Sequence, residues 1–343
     1  MKNEPVNFND LGFTYIKTDY NIRYTFTDGK WNKGELNDSE SVDIHIAASS
    51  IHYGQSIFEG MKVFQTKDGK VAAFRPEENY LRLKRSAEKL FMEPVPENIF
   101  FEALNKVVKA NKRFIPPYGT GASLYIRPVL FGTSARIGVR PSDDYMFIIL
   151  VTPVGPYFKS GFNPVKLLVV EDLDRAAPYG IGDIKAAGNY AAGLRGSIRA
   201  KNMGYTDVIY LDTVHRKYID ESGPANFIAI LKDGTFVTPA SSSILASITN
   251  MSLRTIAEED FGWKVEKRSV SIDELSTFSE AGCCGTAAVI TPVGTVTYKN
   301  KDYFMYDQGK SAGPSITKLY KQLTGIQLNE IEDKRGWLYK IDV

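Results

Sequence analysis

Histidine and cysteine are scarce in this chain of 343 residues: His45, His52 and His215 are the histidines, and the two cysteines are adjacent as Cys283-Cys284. So small a supply builds neither a four-ligand zinc site nor a His-rich metal centre. Adjacent cysteines are too strained to pair with each other and cannot staple a secreted scaffold. Charge of one sign is also lacking. Lys+Arg 42 against Asp+Glu 40 leaves a formal net charge of +2. That is too little to draw in a nucleic-acid backbone or an anionic bilayer. No apolar run approaches the ~18 residues of a membrane helix, and the richest, Met146–Val151, has the length of a buried strand. The N-terminal residues contain no apolar stretch of the kind that makes a signal peptide. Asn37-Asp-Ser39 and Asn250-Met-Ser252 match the glycosylation pattern, which carries no meaning without secretion. The expectation is a cytoplasmic globular protein with no metal, no nucleic-acid partner and no membrane.

What is present is ordinary for a soluble globular protein: 43% apolar and 24% charged residues. Division by roughly 150 residues per domain gives about two domains. The first, residues 1–154, reads as a small α/β domain. Met61–Gln65 and Lys70–Phe74 flank Asp68-Gly69, a hairpin signal. Pro76 opens a helix with Tyr80, Leu83, Ala87 and Leu90 on one face, and another is expected from about Ile99 to Phe114. Residues 155–164, rich in Gly and Pro, read as an interdomain linker. Residues 165–343 read as a larger domain, with strands at Val165–Val170, Asp207–Leu211, Phe227–Leu231 and Ala287–Ile290. Helices are expected near 189–203, 249–261 and 311–323. Strands connected both by tight turns and by helices predict a mixed α+β sheet rather than a doubly wound parallel one.

Several segments could carry chemistry. Lys185 is set among apolar neighbours and Gly180, Gly182 and Gly188, where partial desolvation would leave a nucleophilic amine. It could equally be a surface lysine in a glycine-rich loop. Glu221, expected after strand-like Lys217–Ile219, could hold the ring nitrogen of a pyridoxal cofactor, or be a turn acid before Ser-Gly-Pro. The serine-rich stretch 241–247 precedes a helical pattern; its hydroxyls read as caps, or the N–H groups of Ile248 and Thr249 as a phosphate site. Gly285-Thr286-Ala287 is either a tight turn or a further set of donors.

Taken together, these segments resemble a known family. Ser50-Ile-His-Tyr-Gly-Gln-Ser-Ile-Phe-Glu-Gly-Met-Lys62, Phe74-Arg-Pro76, Arg82-Leu-Lys-Arg-Ser-Ala87, Ser123-Leu-Tyr-Ile-Arg-Pro128, Gly182-Asp-Ile-Lys-Ala-Ala-Gly-Asn-Tyr190 and Gly285-Thr-Ala287 look like branched-chain amino acid aminotransferases of the class-IV, fold-type-IV pyridoxal-phosphate group. The resemblance runs from about Phe26 to the C-terminus. It implies two α+β domains with mixed and antiparallel sheets, a cofactor between them, and a homodimer. It implies transamination of L-leucine, L-isoleucine and L-valine with 2-oxoglutarate, using pyridoxal 5′-phosphate. Lys185 would then be the catalytic lysine, Tyr190 the partner of the cofactor's phenolic oxygen and Glu221 that of its ring nitrogen. Arg85, Ile248, Thr249 and Thr286 would hold its phosphate. Tyr53, Phe58, Tyr125, Arg127, Thr286 and Ala287 would face the substrate.

Some residues depart from the pattern. The Cys-x-x-Cys pair that eukaryotic members carry after Gly-Thr-Ala is replaced by Thr286-Ala-Ala-Val-Ile-Thr291, so no thiol switch of that kind is expected. The phosphate segment reads Ile244-Leu-Ala-Ser-Ile-Thr249 where the family often has Leu-Pro-Gly; backbone donation survives that change. A D-amino acid aminotransferase or an aminodeoxychorismate lyase would share Lys185 and Glu221 and differ in the substrate wall. A homologue without activity would lack the cofactor.

Overall fold

The computed structural model describes residues 6–155 and 161–343, so 156–160 of the expected linker lie outside the described residues. Its backbone contacts gather into two units. One comprises Met1–Lys159, Ile184–Gly188 and Ile326–Val343, and the other Ser160–Asp183 and Asn189–Gly325. Two stretches beyond residue 165 therefore belong with the first unit. The reason at the C-terminus is strand pairing: Leu338–Ile341 adds antiparallel to Val71–Phe74, with Leu338 opposite Phe74. Arg75 fixes that junction by donating its N–H to the Trp337 carbonyl at 2.8 Å and stacking its guanidinium 4.9 Å from the indole.

The first unit is an antiparallel sheet in the order Leu338–Ile341, Val71–Phe74, Met61–Gln65, Ser123–Gly132, Tyr145–Val154, Asn21–Thr27, Lys30–Trp31. Ser56–Phe58 pairs with Ser123–Gly132 as a side branch. The expected hairpin is present, and Gly69 takes the left-handed conformation its turn requires, at φ 77°. Helix Pro76–Lys89 buries Tyr80, Leu83 and Ala87, and helix Glu97–Ala110 buries Phe100, Ala103, Leu104, Val107 and Val108. They meet Ile22, Val63, Leu124, Ile126 and Ile149 of the sheet in one core. Each large apolar side chain fully buried there contributes about 1.5–3 kcal/mol. Helix Pro76–Lys89 also buries a second, polar stripe of Asn79, Arg82 and Ser86, a turn apart along its axis.

The second unit closes on itself. Val165–Val170 runs parallel to Asp207–Leu211, which pairs antiparallel with Ile219–Ser222, and that in turn with Ala225–Leu231. Ala225–Leu231 pairs with Phe278–Gly285, Phe278–Gly285 with Val289–Tyr298, and Val289–Tyr298 returns parallel to Val165–Val170. The result is a barrel filled by alternate residues such as Leu167, Val169, Ile209, Leu211, Phe227, Ala229, Ala281 and Cys283. The α+β class is thus observed in both units, with an antiparallel sheet in the first and a mixed one in the second. Among the described residues, no helix is long and apolar enough to cross a membrane.

One irregularity in the barrel matters for chemistry. Leu211 lies opposite Ile219 and Ile209 opposite Ser222, so the second strand spends one residue more than the first over the same span. This β-bulge turns consecutive acids, Asp220 and Glu221, toward the same loop instead of to opposite faces. Asp220 accepts the hydroxyls of Ser241 and Ser243 at 2.6 Å each, and Glu221 accepts the N–H of Leu245 at 3.0 Å. Of the two readings the sequence leaves open, a carboxylate at a strand end or a turn acid, Glu221 takes the first: it stands inside strand Ile219–Ser222, and the turn comes after it, at Gly223-Pro224.

Candidate active site

In the first unit, Lys185 is held by its own backbone. Its carbonyl accepts the N–H of Phe58 at 3.1 Å, its N–H donates to Ser86 Oγ at 3.2 Å, and Ala186 bridges to Ile57. The side chain lies across an apolar surface, with Nζ 4.5 Å from the centroid of the Phe58 ring. Gly188 leaves open space nearby in the chain, since a Cβ there would meet nothing within 4 Å. Glu59, next to Phe58, is wholly buried. Arg82 grips it through Nε and Nη2 at 2.6 and 2.8 Å, and Asn79 donates to it at 2.7 Å. Burial alone would push this carboxyl up. Arg82, the charge of Lys185 and Asn79 outweigh burial and hold it below the usual carboxylate range.

Tyr125 and Arg127 alternate with core residues along strand Ser123–Gly132, so both leave the same face of the sheet. Arg127 Nη2 donates to the Tyr125 hydroxyl at 3.0 Å, and its guanidinium lies 4.7 Å from the Phe58 ring. Its Nε is buried with no hydrogen-bond partner among the described residues, a donor in position for an anion. Gly60 has to be glycine, because a Cβ would sit 2.2 Å from the Tyr125 hydroxyl. Lys62 lies directly across from Tyr125, and burial pushes its ammonium down to about 8.

Two expected members are not brought into this group. Arg85 is exposed on helix Pro76–Lys89, whereas Arg82, three residues earlier, is 5% exposed and turned inward with Ser86. The polar stripe of that helix, not its Lys84-Arg85 pair, faces the protein interior. Tyr53 stands 42% exposed, with its hydroxyl donated to the Ile137 carbonyl.

In the second unit, Glu221 is 4% exposed. One of its oxygens takes the Leu245 N–H and the Asn226 amide at 2.9 Å, and the other lies 3.1 Å from Arg175 Nε. Ser247 caps helix Ile248–Thr255 by accepting the Asn250 N–H. Ile248 and Thr249 are the first residues of that helix, so their N–H groups have no acceptor within it, as the anion-binding ends of helices require. Thr286 and Ala287 form the turn between strands Phe278–Gly285 and Val289–Tyr298, and Gly285 beside them has open space where a Cβ would be. Tyr190 is half-buried in the first turn of helix Ala187–Asn202. Cys283 and Cys284 are free and buried, and desolvation pushes the Cys283 thiol up to about 12. No group of three or more His, Cys, Asp and Glu side chains among the described residues is placed to hold a metal ion.

The amino-transferase class IV family matches this chain over residues 56–296. The branched-chain-amino-acid aminotransferase of Haemophilus influenzae is 44% identical over 342 residues, covering 98% of this chain and 99% of that protein. That of Helicobacter pylori is 43% identical, covering 98% of each. The crystal structure of the Escherichia coli branched-chain amino acid aminotransferase, 29% identical, superposes with a TM-score of 0.78 over 95% of this chain and 100% of that one. A T.th. branched-chain amino acid aminotransferase, solved with pyridoxamine 5′-phosphate, is 25% identical, with a TM-score of 0.80 over 96% of this chain and 100% of that one.

Proposed function

This chain belongs to the class IV aminotransferases, and we infer that it transfers the amino group of L-leucine, L-isoleucine or L-valine to 2-oxoglutarate, giving branched-chain 2-oxo acids and L-glutamate. The observation that carries the reading is the first unit's pairing of an amine with a two-character wall. Lys185 Nζ and the Arg127 guanidinium both lie against the Phe58 ring. The ring offers a branched side chain an apolar surface. Arg127, with its unpartnered Nε and its contact to the Tyr125 hydroxyl, offers glutamate a cation.

The family's cofactor is pyridoxal 5′-phosphate, and the residues present fit it: a lysine amine, a buried and paired carboxylate, a phenol, and helix-terminal N–H groups for a phosphate. When bound, it supplies an electron sink that makes the Cα–H of an amino acid acidic. Lys185 would hold it through Nζ, Tyr190 would meet its phenolic oxygen and Glu221 its ring nitrogen. The phosphate falls to Ile248, Thr249 and Thr286, with Arg82 taking the inward position that Arg85 does not have. Thr286 and Ala287 amides would face the substrate carboxylate. Lys185 is also the proton carrier. Its amine, on a flexible stem, takes the Cα proton of the donor and delivers one to the Cα of the acceptor.

We place the enzyme in the cytoplasm as a homodimer. Ile46, Ile137 and Val139 are exposed at 84, 78 and 84%, on loops joined by the Arg136 N–H to the Ala47 carbonyl at 2.8 Å. Large apolar side chains left exposed on two adjoining loops favour burial by a second copy. The test of function is a donor panel with 2-oxoglutarate, following glutamate. The branched donors should fall within about two orders of magnitude of one another, since a methylene is worth only ~1–3 kcal/mol. L-aspartate should be poor, because its short carboxylate would be buried against Phe58. If D-alanine outpaces L-leucine, the branched-chain reading is wrong and a D-amino acid enzyme replaces it.

A further inference from the structure

Arg175 sits where three segments of the second unit meet. It is 8% exposed, and its Nε lies 3.1 Å from Glu221 Oε2. The Nε–H points off that line, so the contact is an ion pair rather than an aligned hydrogen bond. Its Nη2 donates to the carbonyl of Ser243 and, at 3.4 Å, to that of Gly182. The loop after Ser243 returns the Leu245 N–H to the other oxygen of Glu221. Gly182 is part of the same fit: a Cβ there would lie 2.4 Å from the Ser243 carbonyl and 3.0 Å from Arg175 Nη2. One guanidinium thus supplies the counter-charge of a buried carboxylate and fixes the two loops around it. A lysine, with a single compact ammonium, could not make all of these contacts at once.

We infer that Arg175 is a positioning residue for transamination: it holds Glu221 ionised and oriented, so that the proton shared between Glu221 and the cofactor's ring nitrogen stays on the ring. The inference rests on the assignment of Glu221 to that nitrogen. A carboxylate stripped of its counter-charge in a buried setting is neutralised by taking up a proton. Here the nearest available proton would be the one that makes the ring an effective electron sink.

The test uses the protein loaded with pyridoxal 5′-phosphate carrying a heavy-nitrogen label in the ring, read by nitrogen NMR. In R175M the ring-nitrogen resonance should move from the protonated toward the neutral pyridine position, in the direction that E221Q moves it. R175K, which keeps a charge, should move it less. A single turnover with L-leucine should slow about tenfold or more in R175M, with the leucine KM little changed. The double variant R175M/E221Q should be no slower than E221Q alone, because Arg175 acts through Glu221. Should R175M not fold, R175Q carries the same test, since its amide can still donate to a loop carbonyl but has no charge. An unmoved resonance in the neutral variants alongside a moved one in E221Q overturns the role of Arg175 alone. An unmoved resonance in E221Q overturns the assignment of Glu221, and this inference with it.

Discussion

Replacing Glu59 by glutamine measures what the first unit gains from the ion pair beside Lys185. Glu59 is 0% exposed, and Arg82 reaches it through contacts of 2.6 and 2.8 Å. Glutamine keeps the volume and can still accept from Asn79, but it leaves the Arg82 guanidinium buried without a counter-charge. Breaking a buried pair from one side costs about 3–5 kcal/mol. At about 2–4 °C per kcal/mol for a unit of this size, E59Q should melt roughly 6–20 °C lower. A W263F background leaves Trp31 and Trp337, both in the first unit, as the fluorescent reporters. The pH dependence has a definite sign. The folded carboxyl is held below its ordinary value, so its contribution is complete above the unfolded value of about 4.3 and is lost as pH falls through the folded one. The gap between parent and E59Q should therefore be flat near neutrality and narrow in acid. The double variant E59L/R82M should be hurt less than E59Q, because the penalty belongs to the unpaired charge. A melting point within about 2 °C of the parent, or a gap that widens on acidification, would refute the reasoning.

Three further outcomes are expected. Lys185→Ala should abolish the pH-dependent visible absorbance of the bound cofactor and lower transamination by several orders of magnitude; a borohydride-reducible adduct surviving in the variant would move the role elsewhere. Arg85→Ala should leave cofactor affinity within about twofold of the parent, as for an exposed side chain with no buried partner, while Arg82→Ala should weaken it; equilibrium dialysis decides, and a loss in Arg85→Ala alone would restore Arg85. Cys283 and Cys284 should resist a thiol reagent at pH 7 until the protein unfolds, since burial pushes both thiols up; fast stoichiometric labelling of the native protein would contradict that.

Much of this was legible in the residues because local rules decide it. The Asp68-Gly69 hairpin, the helix opened by Pro76 and the strand Tyr145–Val154 all follow from turn chemistry and periodicity. Lys185 could be singled out by its glycines. Other features depend on long-range pairing and left no local trace. The return of Leu338–Ile341 to the first unit is settled by its partner Val71–Phe74, far away in sequence. The inward turn of Arg82 in place of Arg85 is settled by a second buried stripe. A helix read for its apolar face alone shows Tyr80, Leu83, Ala87 and Leu90, although Asn79, Arg82 and Ser86 are buried as well. Their spacing was in the sequence; what made it meaningful was Glu59, which only the folded chain brings against them.

The two arginines missed in this way have one physical cause. A carboxylate that must stay charged while buried would cost several kcal/mol unless the fold provides a cation for it. In the first unit Glu59 has Arg82, and in the second Glu221 has Arg175. Each arginine is drawn from the same unit as its acid, so each unit can fold with its own buried acid compensated. Glu59 is clasped by Arg82 through both oxygens, a closed arrangement suited to fixing the chain beside Lys185. Glu221 meets Arg175 through one oxygen, off the hydrogen-bond axis, while its other oxygen accepts from the Leu245 N–H and the Asn226 amide. Both acids are engaged on each oxygen, so the proposal that Glu221, and not Glu59, meets the cofactor's ring nitrogen rests on the family resemblance and is tested through E221Q.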